Sequence, residues 1–179
     1  MDTNQSLKAE EIASEALRIF EFVQGLKLDM SDDDMMYDLT YIGKMTALCS
    51  SIMEKVSDSQ MQITKLGLEV RKWQYGATLV LKEEERKLTG SKGYLENPAS
   101  HRKDWLAAKI QPFKQEVEVW DQLAKSINEV KETVNERMAT VKRLDSDIRL
   151  HHKLYETKVA SGMIGKPGLT GIKAESQDL

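Results

Sequence analysis

The chain has 179 residues, 31% of them charged and 6% aromatic, with a formal net charge of −3. That length holds one domain with a real core, and the profile favours a helix-rich protein with long solvated faces over a β-sandwich. The mild acidity excludes a protein that coats duplex DNA by charge alone, and the single cysteine, Cys49, excludes an intramolecular disulfide or a thiolate zinc site within one chain.

The first predicted element is a helix from Ser6 to Leu28. Ala9, Ile12, Ala16, Ile19, Phe20, Val23 and Leu26 recur at helical spacing. The segment is acidic: residues 1 to 33 carry three basic and eight acidic side chains. Its start lacks the charged-then-apolar pattern of a secretory signal. No run is long and apolar enough to span a membrane. With the lone cysteine, these features lead us to expect a cytoplasmic protein with no membrane partner. Asp29 to Asp34 then breaks the helical pattern, and Ser31 with Asp34 resembles a loose capping box for the next helix.

The second helix is expected from Asp34 to Leu88. One heptad position reads Met35, Ile42, Cys49, Val56, Ile63, Val70 and Ala77. A neighbouring position adds Met45, Ile52, Leu66, Trp73 and Val80. The stripe is broad, as in a helical bundle. Gly43, Gly67 and Gly76 interrupt it, each costing about 1 kcal/mol against Ala, and mark close helix contacts or bends. Thr89 to Asn97 reads as a loop punctuated by Gly90 and Gly93. Asn97 followed by Pro98 looks like an N-cap with proline at the first helical position.

The third helix is expected to run from there to Ala160. Leu106, Phe113, Trp120, Ile127, Val134, Val141, Ile148 and Tyr155 form an unbroken apolar heptad series. Pro112 falls inside it, so a kink or a break is expected there. Beyond Ser161 glycines, a proline and scattered charges indicate a flexible tail. The organisation is therefore an acidic helix and loop over 1–33, a long helical hairpin over 34–160 and a tail over 161–179. The fold class is all-α: a long antiparallel, coiled-coil-like hairpin with an extra N-terminal helix. The N-terminal helix packs against one end or reaches a neighbouring subunit. Stripes this wide, on few helices, also predict a homo-oligomer.

Catalytic signals are weak. There is no GxSxG, P-loop or GxGxxG motif, so neither an enzyme nor a bound cofactor is expected. His151 and His152 are adjacent and diverge by about 100° on a helix. Asp147 and His151, four apart, read as an ordinary surface pair rather than a chelate. Glu83, Glu84 and Glu85 lie among Lys82, Arg86 and Lys87, as surface ion pairs do. Cys49 sits on an apolar heptad position and reads as core.

Cations and aromatics cluster in two places. Arg86, Lys87 and Lys92 lead into the hairpin tip, His101, Arg102 and Lys103 leave it, and Tyr94 and Trp105 lie nearby. In the second place Arg71, Lys72 and Tyr75 flank Trp73, and Lys65 shares a face with Lys72 seven residues on. Single-stranded nucleic acid binding combines such cations with aromatic faces. A solvated, merely basic loop is the competing reading of the tip. For Trp73 a core position is favoured over a stacking platform, which leaves Arg71, Lys72 and Tyr75 for a partner.

Arg71-Lys72-Trp73-Gln74-Tyr75 resembles the basic-Trp-x-Tyr segment of the UvsY-like recombination mediator proteins of tailed phages. Ser126-Ile127-Asn128, Asn135-Glu136-Arg137 and Val141-Lys142 are similar to that family's later Ile-Asn, Arg and hydrophobic-Lys spacing. The likeness covers residues 39 to 160 at the level of pattern. In this chain Gly76 follows Tyr75 directly, without the family's tyrosine pair, and the Ile-Asn to Arg distance is longer. The resemblance implies a helical, oligomeric, non-enzymatic protein that binds single-stranded DNA and helps load a recombinase onto strands coated by single-strand binding protein. On charge and position, the DNA contacts expected are Lys65, Arg71, Lys72, Arg86, Lys87, Lys92, Arg102 and Lys103. The alternative is a structural coiled-coil scaffold or assembly chaperone without nucleic-acid binding.

Overall fold

A computed structural model of the chain describes residues 3–27 and 39–163. Four α-helices follow in order: α1 (Thr3–Gly25), α2 (Leu39–Thr89), α3 (Lys92–Glu96) and α4 (Arg102–Ala160). Among the described residues there is no strand, and the fold is all-α. The chain divides into two compact units: residues 1–27 with 55–138, and residues 28–54 with 139–179.

In the first unit, α2 and α4 run antiparallel. Gln60 meets Asn135, Gly67 lies against Ile127, and Gln74 meets Asp121, so the α4 number falls as the α2 number rises. The heptad residues Val56, Ile63, Val70 and Ala77 of α2 are buried, as are Trp120, Ile127 and Val134 of α4. Burying such side chains stabilises by about 1.5–3 kcal/mol each. α1 adds its own narrow stripe of Ala9, Ile12, Ala16, Ile19 and Val23. Lys8 of α1 reaches Glu69 of α2 at 3.1 Å, while Ile19 and Phe22 of α1 share a cleft with Lys55 and Ser59. α1 therefore lies antiparallel to α2, on the stretch from Lys55 to Glu69. Ser59 tolerates burial because its hydroxyl donates to the Lys55 carbonyl at 3.0 Å.

In the second unit, Ile42, Met45, Cys49 and Ile52 of α2 are buried, with Val141, Asp145, Ile148 and Tyr155 of α4. Asp145 is the polar member of that seam. Arg149 Nε donates to its Oδ2 at 2.8 Å. Cys49 is fully buried, as its heptad position requires, and burial, helped by the Asp145 charge, pushes its thiol pKa up.

Three expectations are corrected. The stretch from Thr89 to Asn97 is not a plain loop, because it contains α3. Ser91 is the N-cap of this turn, and its hydroxyl accepts from the Tyr94 amide at 3.3 Å. Asn97 is not the N-cap of the long helix but the C-cap of α3. Residues 98 to 101 make a turn in which the His101 amide donates to the Pro98 carbonyl at 2.9 Å, and α4 begins at Arg102. Of the kink or break expected at Pro112, the break is the part corrected: α4 continues through it. Pro112 and Ala108 are both exposed, so water can serve the Ala108 carbonyl that loses its amide donor. The proposed Ser31–Asp34 capping box, Met35 and the tail beyond residue 163 lie outside the described residues.

Candidate nucleic-acid interface

The tip of the α2–α4 pair is built by Arg102. Its Nε donates to the Asn97 carbonyl at 3.0 Å and a terminal nitrogen to the Leu95 carbonyl at 2.9 Å. These are carbonyls around the end of α3 that have no helical donor. The guanidinium also lies 5.6 Å from the centre of the Tyr94 ring, which in turn packs against Trp105 at 6.2 Å. Gly93 lets this cluster close, since a Cβ there would meet Trp105 Cζ2 at 3.3 Å. Arg102 and the two aromatics are thus engaged with one another and with the turn.

The other tip cations differ in their freedom. Lys87 is clamped by Glu84 at 2.8 Å and Glu83 at 3.2 Å, and these two carboxylates raise its pKa. Lys92 faces Glu96 at 3.5 Å. Arg86 and Lys103 are exposed and form no ion pair among the described residues. At the tip, Lys87 and Lys92 are thus paired with carboxylates and Arg102 is held by carbonyls, which leaves Arg86 and Lys103 as its open cations among the described residues.

The face of α2 around residues 61–79 differs. Lys65, Arg71 and Lys72 are all exposed and have no carboxylate partner among the described residues. From Ser59 to Lys82 the only acidic residue of α2 is Glu69, and Lys8 holds it at 3.1 Å. Met61, Leu68 and Tyr75, seven residues apart, are more than half exposed on the side of α2 away from its buried stripe, and Tyr75 is 67% exposed. Lys65 and Lys72 thus lie to one side of the open Tyr75 ring on α2, and Arg71 lies to its other side, toward α4.

Trp73 does not belong to that face. Its ring stacks on Trp120 with centroids 5.7 Å apart and planes 9° from parallel. Trp120 is fully buried, so the pair is an internal anchor between α2 and α4.

The histidines form no metal site. His152 Nε2 lies 3.8 Å from Glu156, a loose surface pair, and no group of three metal-ligating side chains occurs among the described residues. No helix among them is long and apolar enough to cross a membrane.

The sequence named Lys65, Arg71 and Lys72 as contacts, pointed to Asn128 only through the Ile-Asn likeness, and gave no sign of Lys131 of α4. These two line a cleft with Arg71, Thr64 and Leu68. Their proximity depends on the register between two helices more than fifty residues apart in sequence, and no local pattern encodes it.

The chain is thus defined at the level of fold class, an all-α protein built on an antiparallel helix pair. Comparison with protein-family models, with curated proteins and with solved structures finds no match to it.

Proposed function

We propose that the chain is a non-enzymatic accessory protein of DNA recombination or repair, resembling phage recombination mediators, that binds single-stranded DNA along the outer face of α2. One observation carries the reading. Lys65, Arg71 and Lys72 are exposed and unpaired beside the exposed ring of Tyr75, in a stretch whose one carboxylate is already engaged. Free cations bind backbone phosphate through counterion release, and an open aromatic accepts a base on its face. In this reading the protein acts in the cytoplasm as a homo-oligomer and meets a recombinase or single-strand binding protein on the strand.

The test is a set of fluorescence-anisotropy titrations with a labelled oligothymidylate. The triple variant Lys65→Ala, Arg71→Ala, Lys72→Ala should lose most of the affinity. The pair Lys87→Ala, Lys92→Ala, whose cations already face carboxylates, should lose little. Equal losses in the two sets would count against the α2 face.

A structural scaffold without nucleic-acid binding is the second reading. It draws on the exposed Leu39, Leu48, Leu150 and Leu154 of the second unit, apolar surface that a protein partner would cover.

A further inference from the structure

The flank along which α2 faces α4 in the first unit carries two polar rungs, fourteen residues apart on each helix. Gln60 Nε2 donates to Asn135 Oδ1 at 2.8 Å, and Gln74 Nε2 donates to Asp121 Oδ1 at 2.6 Å. Midway between these rungs the same register brings Gly67 to Asn128. A polar pair there would make a third rung, but glycine supplies no side chain. The Asn128 amide has no hydrogen-bond partner among the described residues.

The missing rung leaves a cleft of about 70 Å³. About 10–15 Å³ on this measure holds one water, so the cleft takes a small polyatomic group and not a stacked base. Its floor is the apolar edge of Ile63 and Ile127, and its rim carries Arg71 from α2 with Asn128 and Lys131 from α4. Arg71 and Lys131 have no carboxylate partner among the described residues. Asp121 is held by Gln74. Glu132 lies four residues beyond Asn128, about 40° round the helix from it, but neither Glu132 nor Glu129 lines the cleft. The rim thus gathers guanidinium, ammonium and amide donors around a small gap, with no anion of its own. That donor set matches a phosphate group and not a metal ion.

We propose that this gap seats one backbone phosphate of the bound strand and so fixes the strand's register on α2. The proposal rests on the single-strand reading above. It assigns to Asn128, Lys131 and the absence of a side chain at Gly67 a role that charge counting along α2 does not reach.

Gly67→Gln is the direct test, because it supplies the missing rung and fills the cleft. A Cβ at position 67 would meet Ile127 Cγ2 at 3.5 Å, an ordinary contact, and glutamine is the better helix former. The variant should therefore melt at the same or a higher temperature, which separates lost binding from lost folding. Its affinity for the oligothymidylate should fall about tenfold, as should that of Lys131→Gln, the size expected for one charge-assisted contact. If Gly67→Gln binds like the wild type while the Lys65, Arg71, Lys72 variant does not, the cleft assignment is overturned and the single-strand reading stands. If the wild type binds no oligonucleotide, the single-strand reading fails, and inorganic phosphate then decides the cleft. A phosphate-induced NMR shift of the Asn128 side-chain amide that is absent in Gly67→Gln keeps it as a site for free phosphate. No shift overturns it.

Discussion

Trp73 and Trp120 stack face to face, 5.7 Å between ring centres and 9° from parallel, and lock α2 to α4 through the core of the first unit. The indole N–H of Trp120 is buried and has no hydrogen-bond partner among the described residues. The pair is kept together by its ring contact and by the apolar area it removes from water. It takes Trp73 out of contention as a stacking platform and leaves Tyr75, two residues on, as the open ring.

Truncation of this anchor should be costly. Trp120→Ala should destabilise by about 3–5 kcal/mol, as large core truncations do. Trp120→Phe should cost much less, because it keeps an aromatic ring and removes an unsatisfied donor. Urea denaturation followed by circular dichroism measures both. Similar midpoints for the two variants would show that ring stacking is not what holds the pair.

Tyr75→Ala separates recognition from stability. The ring is mostly in solvent, so stability should change by less than about 0.5 kcal/mol. Oligothymidylate affinity should fall by about 1–3 kcal/mol, the range for loss of one base–aromatic stack. A stability loss with unchanged affinity would place the ring in packing instead.

Arg102 is predicted to be a builder of the tip and not a DNA contact. Arg102→Ala leaves the carbonyls of Leu95 and Asn97 without their donor, at a cost of about 1.5–3 kcal/mol for bonds from a charged group. Hydrogen exchange should accelerate over residues 91 to 105. Lys103→Ala should leave exchange there unchanged, so a loss of affinity in that variant alone would reveal a direct contact at the tip.

The Cys49 thiol gives a pH signature. Its pKa is raised in the folded protein by burial and by the Asp145 charge. The folded state therefore holds the thiol proton to higher pH than the unfolded chain, whose thiol titrates near about 8.5. The associated stability is fully present below that value and is lost as pH rises through the folded pKa. The stability difference between wild type and Cys49→Ala should shrink over that alkaline window. A constant difference from neutral to alkaline pH would mean that the thiol titrates alike in both states.

Much of this architecture is legible in the heptads. Ile42, Cys49, Val56, Ile63, Val70 and Ala77 are buried, as are Trp120, Ile127, Val134, Val141, Ile148 and Tyr155. A seven-residue repeat marks the buried side of a long helix wherever its partner lies. Leu106 and Phe113 are only half-buried, because burial near the tip depends on what the turn brings over them. The short helix α3 escapes pattern reading because one turn is too brief for periodicity and rests on a single Ser91 cap.

The candidate site was legible only in part. Lys65 and Lys72 share a face by spacing alone. That Lys87 is neutralised and Arg102 occupied follows from side-chain geometry that composition does not carry. The gap at Gly67 emerges only when the register sets residues 60, 67 and 74 against 135, 128 and 121, since Gly67 by itself reads as one more helix-weakening glycine.

The salt dependence of single-strand binding tests the central claim most directly. Wild-type protein should bind a labelled oligothymidylate at low salt and weaken as salt rises. The log–log slope should be near −2, about 0.7 for each phosphate neutralised by Lys65, Arg71 and Lys72. The triple alanine variant should flatten that slope. Absence of binding by the wild type at low salt would contradict the account.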